Sequence, residues 1–172
     1  MGEVTYIDPK SKQIADTDAE QSGVIHCLMI SLAEETLLLP NAAVAEVIGY
    51  IKPEPLESSP SWFMGRITWR ERLVPLISIE AAMTTGDNIG AEVSGVRIAI
   101  LNTLKGNTDV PYIGIISQGI PRLNVIRNES ISSIEALPAG RQSVAEIVSV
   151  DGKELIIPDI DDLENRILNI HT

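Results

Sequence analysis

His26 and Cys27 are adjacent, and a thiol beside an imidazole is the raw material of a nucleophile–base pair. They lie inside VIHCLMISL (24–32), a strand-like run. Successive strand residues point to opposite faces, so the two side chains diverge and the pair is lost. A core thiol and a half-exposed histidine is the reading this pattern supports. A second cluster, Asp159, Asp161 and Asp162 after Pro158, carries the carboxylates of a cation site but lacks the glycine-containing spacing of a calcium loop. The same residues suit the first turn of a helix, where the helix dipole favours each by about 0.3–1 kcal/mol. No glycine-rich phosphate loop, G-x-S-x-G elbow, H-E-x-x-H or C-x-x-C occurs, and no carboxylate pair stands out. The sequence calls for no catalytic residue, no metal and no cofactor.

Recognition chemistry is better represented. WFMGRITWRERLVPLIS (62–78) places two tryptophans and three arginines in one short segment of a chain with six aromatic residues in all. Just upstream, AVAEVIGY (43–50) alternates in strand fashion, with Val44, Glu46 and Ile48 on one face and Ala45, Val47 and Gly49 on the other. In GRITWR, Ile67 and Trp69 share one face while Arg66, Thr68 and Arg70 share the opposite one. If these two strands are neighbours, Glu46 meets an arginine between apolar Val44 and Ile48. An apolar patch with one charged pair is what a protein-recognition surface looks like. A solvated salt bridge of little energetic value fits the same residues equally well.

The rest of the chain must position these groups. At 172 residues it fits one domain, large enough for a core without disulfides or a structural metal. Apolar residues make up 44% of it, chiefly Ile, Leu, Val and Ala. The net charge of −11 repels phosphate backbones and anionic membrane surfaces, which excludes nucleic acid and favours protein partners. No apolar run approaches the roughly 20 residues that span a bilayer, and the N-terminus lacks the features of a secretory signal. With a single cysteine, the chain reads as cytoplasmic.

Residues 1–22 are polar and without periodicity and read as a flexible tail, with the domain running over 23–172. Short apolar strands separated by turn residues then follow, which predicts a mainly β fold of barrels or a sandwich. The glycine-bearing loop at 83–95 reads as a divider between a first and a second set of strands. The strand at 24–32 is apolar on both faces and should be buried between two layers. Helices are expected at IEAAM after Ser78 and in PDIDDLENRILNI, where Ile160, Leu163, Ile167 and Ile170 recur at helical spacing. The expected core includes Leu39, Val47, Ile67, Leu76, Ile100, Ile115 and Ile156.

The order LLLPNAAVAEVIGY, SPSWFMGRITWRERLVPLIS, YIGIISQGIPRLNVI and ELIIPDIDDLENRI resembles the CheW-like domain of bacterial chemosensory systems, from about Gly23 to Ile170. The likeness rests on the Val-x-Glu-Val strand, the proline before Gly65, the Arg70 hairpin and the Val-Pro-Leu-Ile run. The WFMGRITWR form is similar to accessory adaptors of type IV pilus, twitching-motility systems, the ChpC-like group. The resemblance implies two packed five-stranded SH3-like β-barrel subdomains with a few short helices and a C-terminal helix. It implies a non-enzymatic adaptor that couples the cytoplasmic tip of a methyl-accepting receptor to the regulatory domain of a CheA-type histidine kinase. Partner binding falls on Val44, Glu46, Val47, Ile48, Arg66 and Arg70. Glu71, Thr68, Ser78 and Gln118 depart from the family's usual Gly, Asn, Asp and Asp, which leaves open whether kinase, receptor or both are bound. An accessory array protein holding one partner, and a small-ligand-binding or enzymatic β-barrel, are the alternatives.

Overall fold

The computed structural model describes residues 23–84, 95–106, 108–134 and 136–171. The expected tail, 1–22, and most of the 83–95 loop lie outside the described residues. Eleven strands are present among them: β1 (Val24–Ser31), β2 (Thr36–Pro40), β3 (Val44–Gly49), β4 (Phe63–Trp69), β5 (Arg72–Ile77), β6 (Val96–Asn102), β7 (Tyr112–Gln118), β8 (Arg122–Arg127), β9 (Ile131–Ser133), β10 (Val144–Val150) and β11 (Lys153–Pro158). They form a six-stranded sheet in the order β8-β1-β2-β11-β10-β9 and a five-stranded sheet in the order β3-β6-β7-β5-β4. The fold is mainly β, as expected, but the first sheet gains a sixth strand. That strand, β9, is only three residues long, and its polar Ser132 and Ser133 gave no apolar signal.

The 83–95 loop does not divide the strands by sheet. Strands β1 and β2 leave the five strands that follow them and pair instead with β8 and β11, across most of the chain. The physical reason lies in three apolar cores. Each sheet wraps a cluster of its own, Ile67, Trp69, Val74, Leu76, Ile98 and Ile100 in one, Cys27, Leu38, Ile126, Val148 and Leu155 in the other. A third cluster, with Ile30, Leu37, Ile77, Ala99, Leu101 and Ile113, lies between them. Alternation sends Ile98 and Ile100 of β6 into the sheet's own core, and Ala99 and Leu101 into the shared one. Strands that serve two cores read as unbroken apolar runs, and only a pair of packed barrels supplies both.

Strand β1 serves two cores from Cys27 onward, but Ile25 and His26, near its start, are exposed. Both helices form where expected. In α1 (Ile79–Met83), the Ser78 hydroxyl accepts from the Ala81 N–H at 3.4 Å. In α2 (Ile160–Leu168), Asp159 caps the Asp162 N–H at 2.9 Å, and Ile160, Leu163 and Ile167 enter the shared core. Of the expected core residues, Leu39, Ile67, Leu76, Ile100, Ile115 and Ile156 are buried. Val47 is not.

Candidate functional site

Strand β3 is phased opposite to the sequence expectation. Val44, Glu46 and Ile48 form its half-buried face, and Ala45, Val47 and Gly49 face solvent, Val47 at 36% exposure. Val44 packs against the shared core and Ile48 against the five-stranded sheet's own core. Burial decides the phase, because Ile48 and Val44 together can hide more apolar surface than Val47 with an alanine and a glycine. A register shift between Val44 and Glu46, where β3 pairs with β6, accompanies this placement.

Strands β3 and β4 are not hydrogen-bonded neighbours. They are the two edges of the five-stranded sheet. Its curl brings the edges together through side chains instead. The Trp69 indole N–H, at the end of β4, donates to Glu46 Oε2 at 2.8 Å. The Arg70 guanidinium, one residue later, reaches the same oxygen at 3.1 Å. Glu46 therefore does meet an arginine, as expected, but the tryptophan placed on the opposite face comes with it.

The turn explains how Trp69 and Arg70 reach one atom. Register pairs Trp69 with Arg72, leaving Arg70 and Glu71 as a two-residue hairpin loop, with φ of +46° and +62°. Left-handed conformations at both positions match the twist of flanking strands, and Asn-Gly is the usual solution. Here two residues with Cβ atoms adopt it, and Glu71 does stand where the chain wants a glycine. The bend folds Arg70 back over its neighbour, 4.6 Å from the centre of the Trp69 ring. Tyr112 of β7 meets the same ring edge-on at 4.9 Å. Trp69 is buried, whereas the Arg70 side chain is 67% exposed.

Arg66 sits on the face of β4 opposite Trp69, half-buried. Its N–H and C=O exchange hydrogen bonds with Glu54 at 2.9 and 2.8 Å. This bridge lays the 50–56 linker along the outer edge of β4. Gly65 makes it possible: at φ +128°, a Cβ there would stand 2.2 Å from the Glu54 carbonyl oxygen. The fold thus brings Glu46 and Arg70 together, with Val44 and Ile48 beneath them and Val47 outside, and places Arg66 on another face.

Sequence reasoning missed a second exposed surface. Strand β8 is an edge of the six-stranded sheet, and its Leu123 and Val125 are 61% and 59% exposed, with Ile120 just before them at 72%. Leu123 pairs with Leu28 and Val125 with the exposed His26 of β1. The signal was available, since a strand with polar Asn124 between two apolar residues buries only one of its faces. Which face that is depends on pairing that the sequence does not display.

Other polar groups hold the architecture. Glu35 and Arg141 form a largely buried ion pair. Arg166 donates to the Ala82 carbonyl at 2.7 Å and to Ser143 Oγ at 2.6 Å while stacking on Trp62 at 4.7 Å, tying α2 to α1. A shallow cleft of about 430 Å³ beside it is lined by Ser58, Pro60, Trp62, Asn169 and Ile170. Burial pushes the Cys27 thiol above its usual range, which removes reactivity rather than supplying it. His26 is exposed while Cys27 is buried, so the neighbouring pair diverges as strand alternation requires. No three His, Cys, Asp or Glu side chains are grouped to hold a metal among the described residues. No helix among them is long and apolar enough to cross a membrane.

The family model described as the CheW-like domain matches residues 26–167. The chain belongs to the CheW-like family. The match covers both barrels and ends within α2. Its fold is similar to that of a CheW scaffolding protein from Thermoanaerobacter tengcongensis, with a TM-score of 0.63 and 23% sequence identity over 78% of this chain and 83% of that one. No curated protein matches the chain. Exposed apolar side chains lie on both sheets, Val47 and Leu73 on the five-stranded one and Leu123 and Val125 on the six-stranded one.

Proposed function

We propose that this CheW-like domain is a non-enzymatic cytoplasmic adaptor in chemosensory signalling, joining the cytoplasmic tip of a methyl-accepting receptor to the regulatory domain of a CheA-type histidine kinase. The observation that carries this reading is the presence of two exposed surfaces on separate sheets. One is the Val47 face of β3 with the Glu46–Arg70 pair at its rim; the other is the apolar edge strand β8. An adaptor needs two surfaces that can be occupied together, and a protein with one client needs only one. Apolar side chains on an open sheet edge are a liability unless something covers them. The tryptophan-bearing hairpin supports a role beside pilus machinery, since its resemblance is to twitching-motility adaptors.

Size-exclusion chromatography of the chain with a purified kinase regulatory domain, with a receptor-tip fragment, and with both together tests the reading. A ternary complex is expected. Binding to one partner alone would replace bridging by the accessory role, and binding to neither would remove the adaptor reading. The twitching role is checked separately by motility of a strain that lacks the gene.

A further inference from the structure

The docking reading leaves the rim arginine with a physical problem. A long, exposed side chain samples many rotamers, and an exposed ion pair fixes it poorly. Here two contacts hold it, and a third ties its two partners together. Glu46 Oε2 accepts from the Trp69 indole at 2.8 Å and from Arg70 at 3.1 Å, and the guanidinium lies 4.6 Å from the Trp69 ring centre. A carboxylate oxygen can accept two hydrogen bonds, so the indole N–H secures Glu46 while the guanidinium binds the same atom. The indole ring face offers the guanidinium a cation–π seat at the same time. Phenylalanine would supply the face without the donor, and a polar side chain the donor without the face. Tyr112 locks the ring from below at 4.9 Å.

We propose that Trp69 is a positioning residue: it pins the Glu46 carboxylate and the Arg70 guanidinium in one arrangement, so that the arginine meets a partner already oriented. This rests on the docking reading above, but the positioning is measurable without any partner. Because pre-ordering removes a cost that binding otherwise incurs, its loss should appear in affinity beyond any loss of folding stability.

The test uses the full chain. Trp69→Phe, and replacement of Trp69 by benzothienylalanine, which keeps a bicyclic ring and removes the N–H, are compared with Arg70→Ala. In NMR spectra the two indole N–H signals, from Trp62 and Trp69, report the contact: Glu46→Gln should shift the Trp69 signal and leave that of Trp62 in place. The heteronuclear NOE of the Arg70 Nε–H should fall in both Trp69 variants. Affinity for a purified CheA-type regulatory domain or receptor-tip fragment, measured where each variant is fully folded, should drop several-fold; the Trp69 variants should also melt lower, because the position is buried. Combined with Arg70→Ala, a Trp69 substitution should cause no further loss. An unchanged Arg70 NOE, or losses that simply add to that of Arg70→Ala, would overturn the positioning role. Full affinity of Arg70→Ala for both partners, with the NMR changes still seen, would instead overturn the docking reading and with it the purpose assigned to Trp69.

Discussion

Trp69 and Glu46 lie on strands at opposite edges of one sheet, yet the indole N–H stands 2.8 Å from Glu46 Oε2. This hydrogen bond helps close the barrel where no backbone pairing of β3 with β4 does. Glu46 therefore has a structural duty that Arg70 does not share. Truncating it leaves the donor of a buried tryptophan without its acceptor, at a cost of about 1–3 kcal/mol. Arg70, mostly exposed, should contribute about 0–1 kcal/mol to folding. Urea denaturation should rank Glu46→Ala as clearly the more destabilising of the two, and equal midpoints would show that the indole finds water instead.

The phase of β3 gives a second contrast. Leu76→Ala and Ile100→Ala, both at fully buried positions, should each cost about 2–5 kcal/mol. Val47→Ala, one residue from the inward face, should cost less than about 1 kcal/mol. Equilibrium unfolding of the three variants checks this, and a core-sized loss at Val47 would mean that β3 presents its other face to the barrel.

The difference between Val47 and Leu76 also marks how far the sequence could be read. Leu76 stands in Val-Pro-Leu-Ile, where either phase of the strand meets a core, so its burial was legible. Strand β3 offers apolar residues at 44, 47 and 48, which fit neither phase cleanly. The choice depends on pairing with β6, some fifty residues away. The Glu46–Arg70 contact was legible from residue types. Trp69 was not, because strand alternation holds only to the end of β4, and left-handed backbone at Arg70 brings consecutive side chains to one atom. Both helices were legible because caps and apolar spacing are local signals. The joining of β1 and β2 with β8 through β11 was not, since no local pattern records which distant strand completes a sheet.

Backbone conformation predicts opposite effects at two positions of the same hairpin. Glu71→Gly should stabilise the domain by up to about 1 kcal/mol, since glycine adopts φ near +62° without steric cost. Gly65→Ala should destabilise it by at least about 2 kcal/mol, because the added Cβ collides with the Glu54 backbone and φ is unfavourable as well. Thermal melts of both variants decide the point. A neutral Gly65→Ala would mean that the linker lifts off β4 without penalty.

Cys27 supplies a prediction in pH. Burial raises its thiol above 9.0, so the folded chain keeps this proton where the unfolded chain has lost it. The unfolded state then binds fewer protons, and this contribution to stability is complete below pH about 9.0 and declines as pH rises toward the folded value. The stability difference between the parent and Cys27→Ala should narrow over that range. Under native conditions the thiol should react slowly with a disulfide reagent, and rapid labelling in the folded state would show that β1 opens at Cys27.

Arg70 carries the last prediction, because it separates folding from binding. Its side chain is mostly solvent-exposed, it stands in a turn rather than in a strand, and its contacts are with Glu46 and the Trp69 ring. Arg70→Ala should therefore melt close to the parent. If its exposed edge meets a partner, removing it leaves a carboxylate desolvated at the interface, and binding should weaken by about 2–5 kcal/mol. Arg70→Lys keeps the charge but loses the planar group that lies over the indole and offers paired donors, so it should also bind less tightly. Calorimetric titration with the kinase regulatory domain and the receptor tip, beside melts of each variant, makes the comparison. A lysine variant with parental affinity would reduce the arginine to a point charge, and an alanine variant that unfolds would place it among the residues that close the barrel.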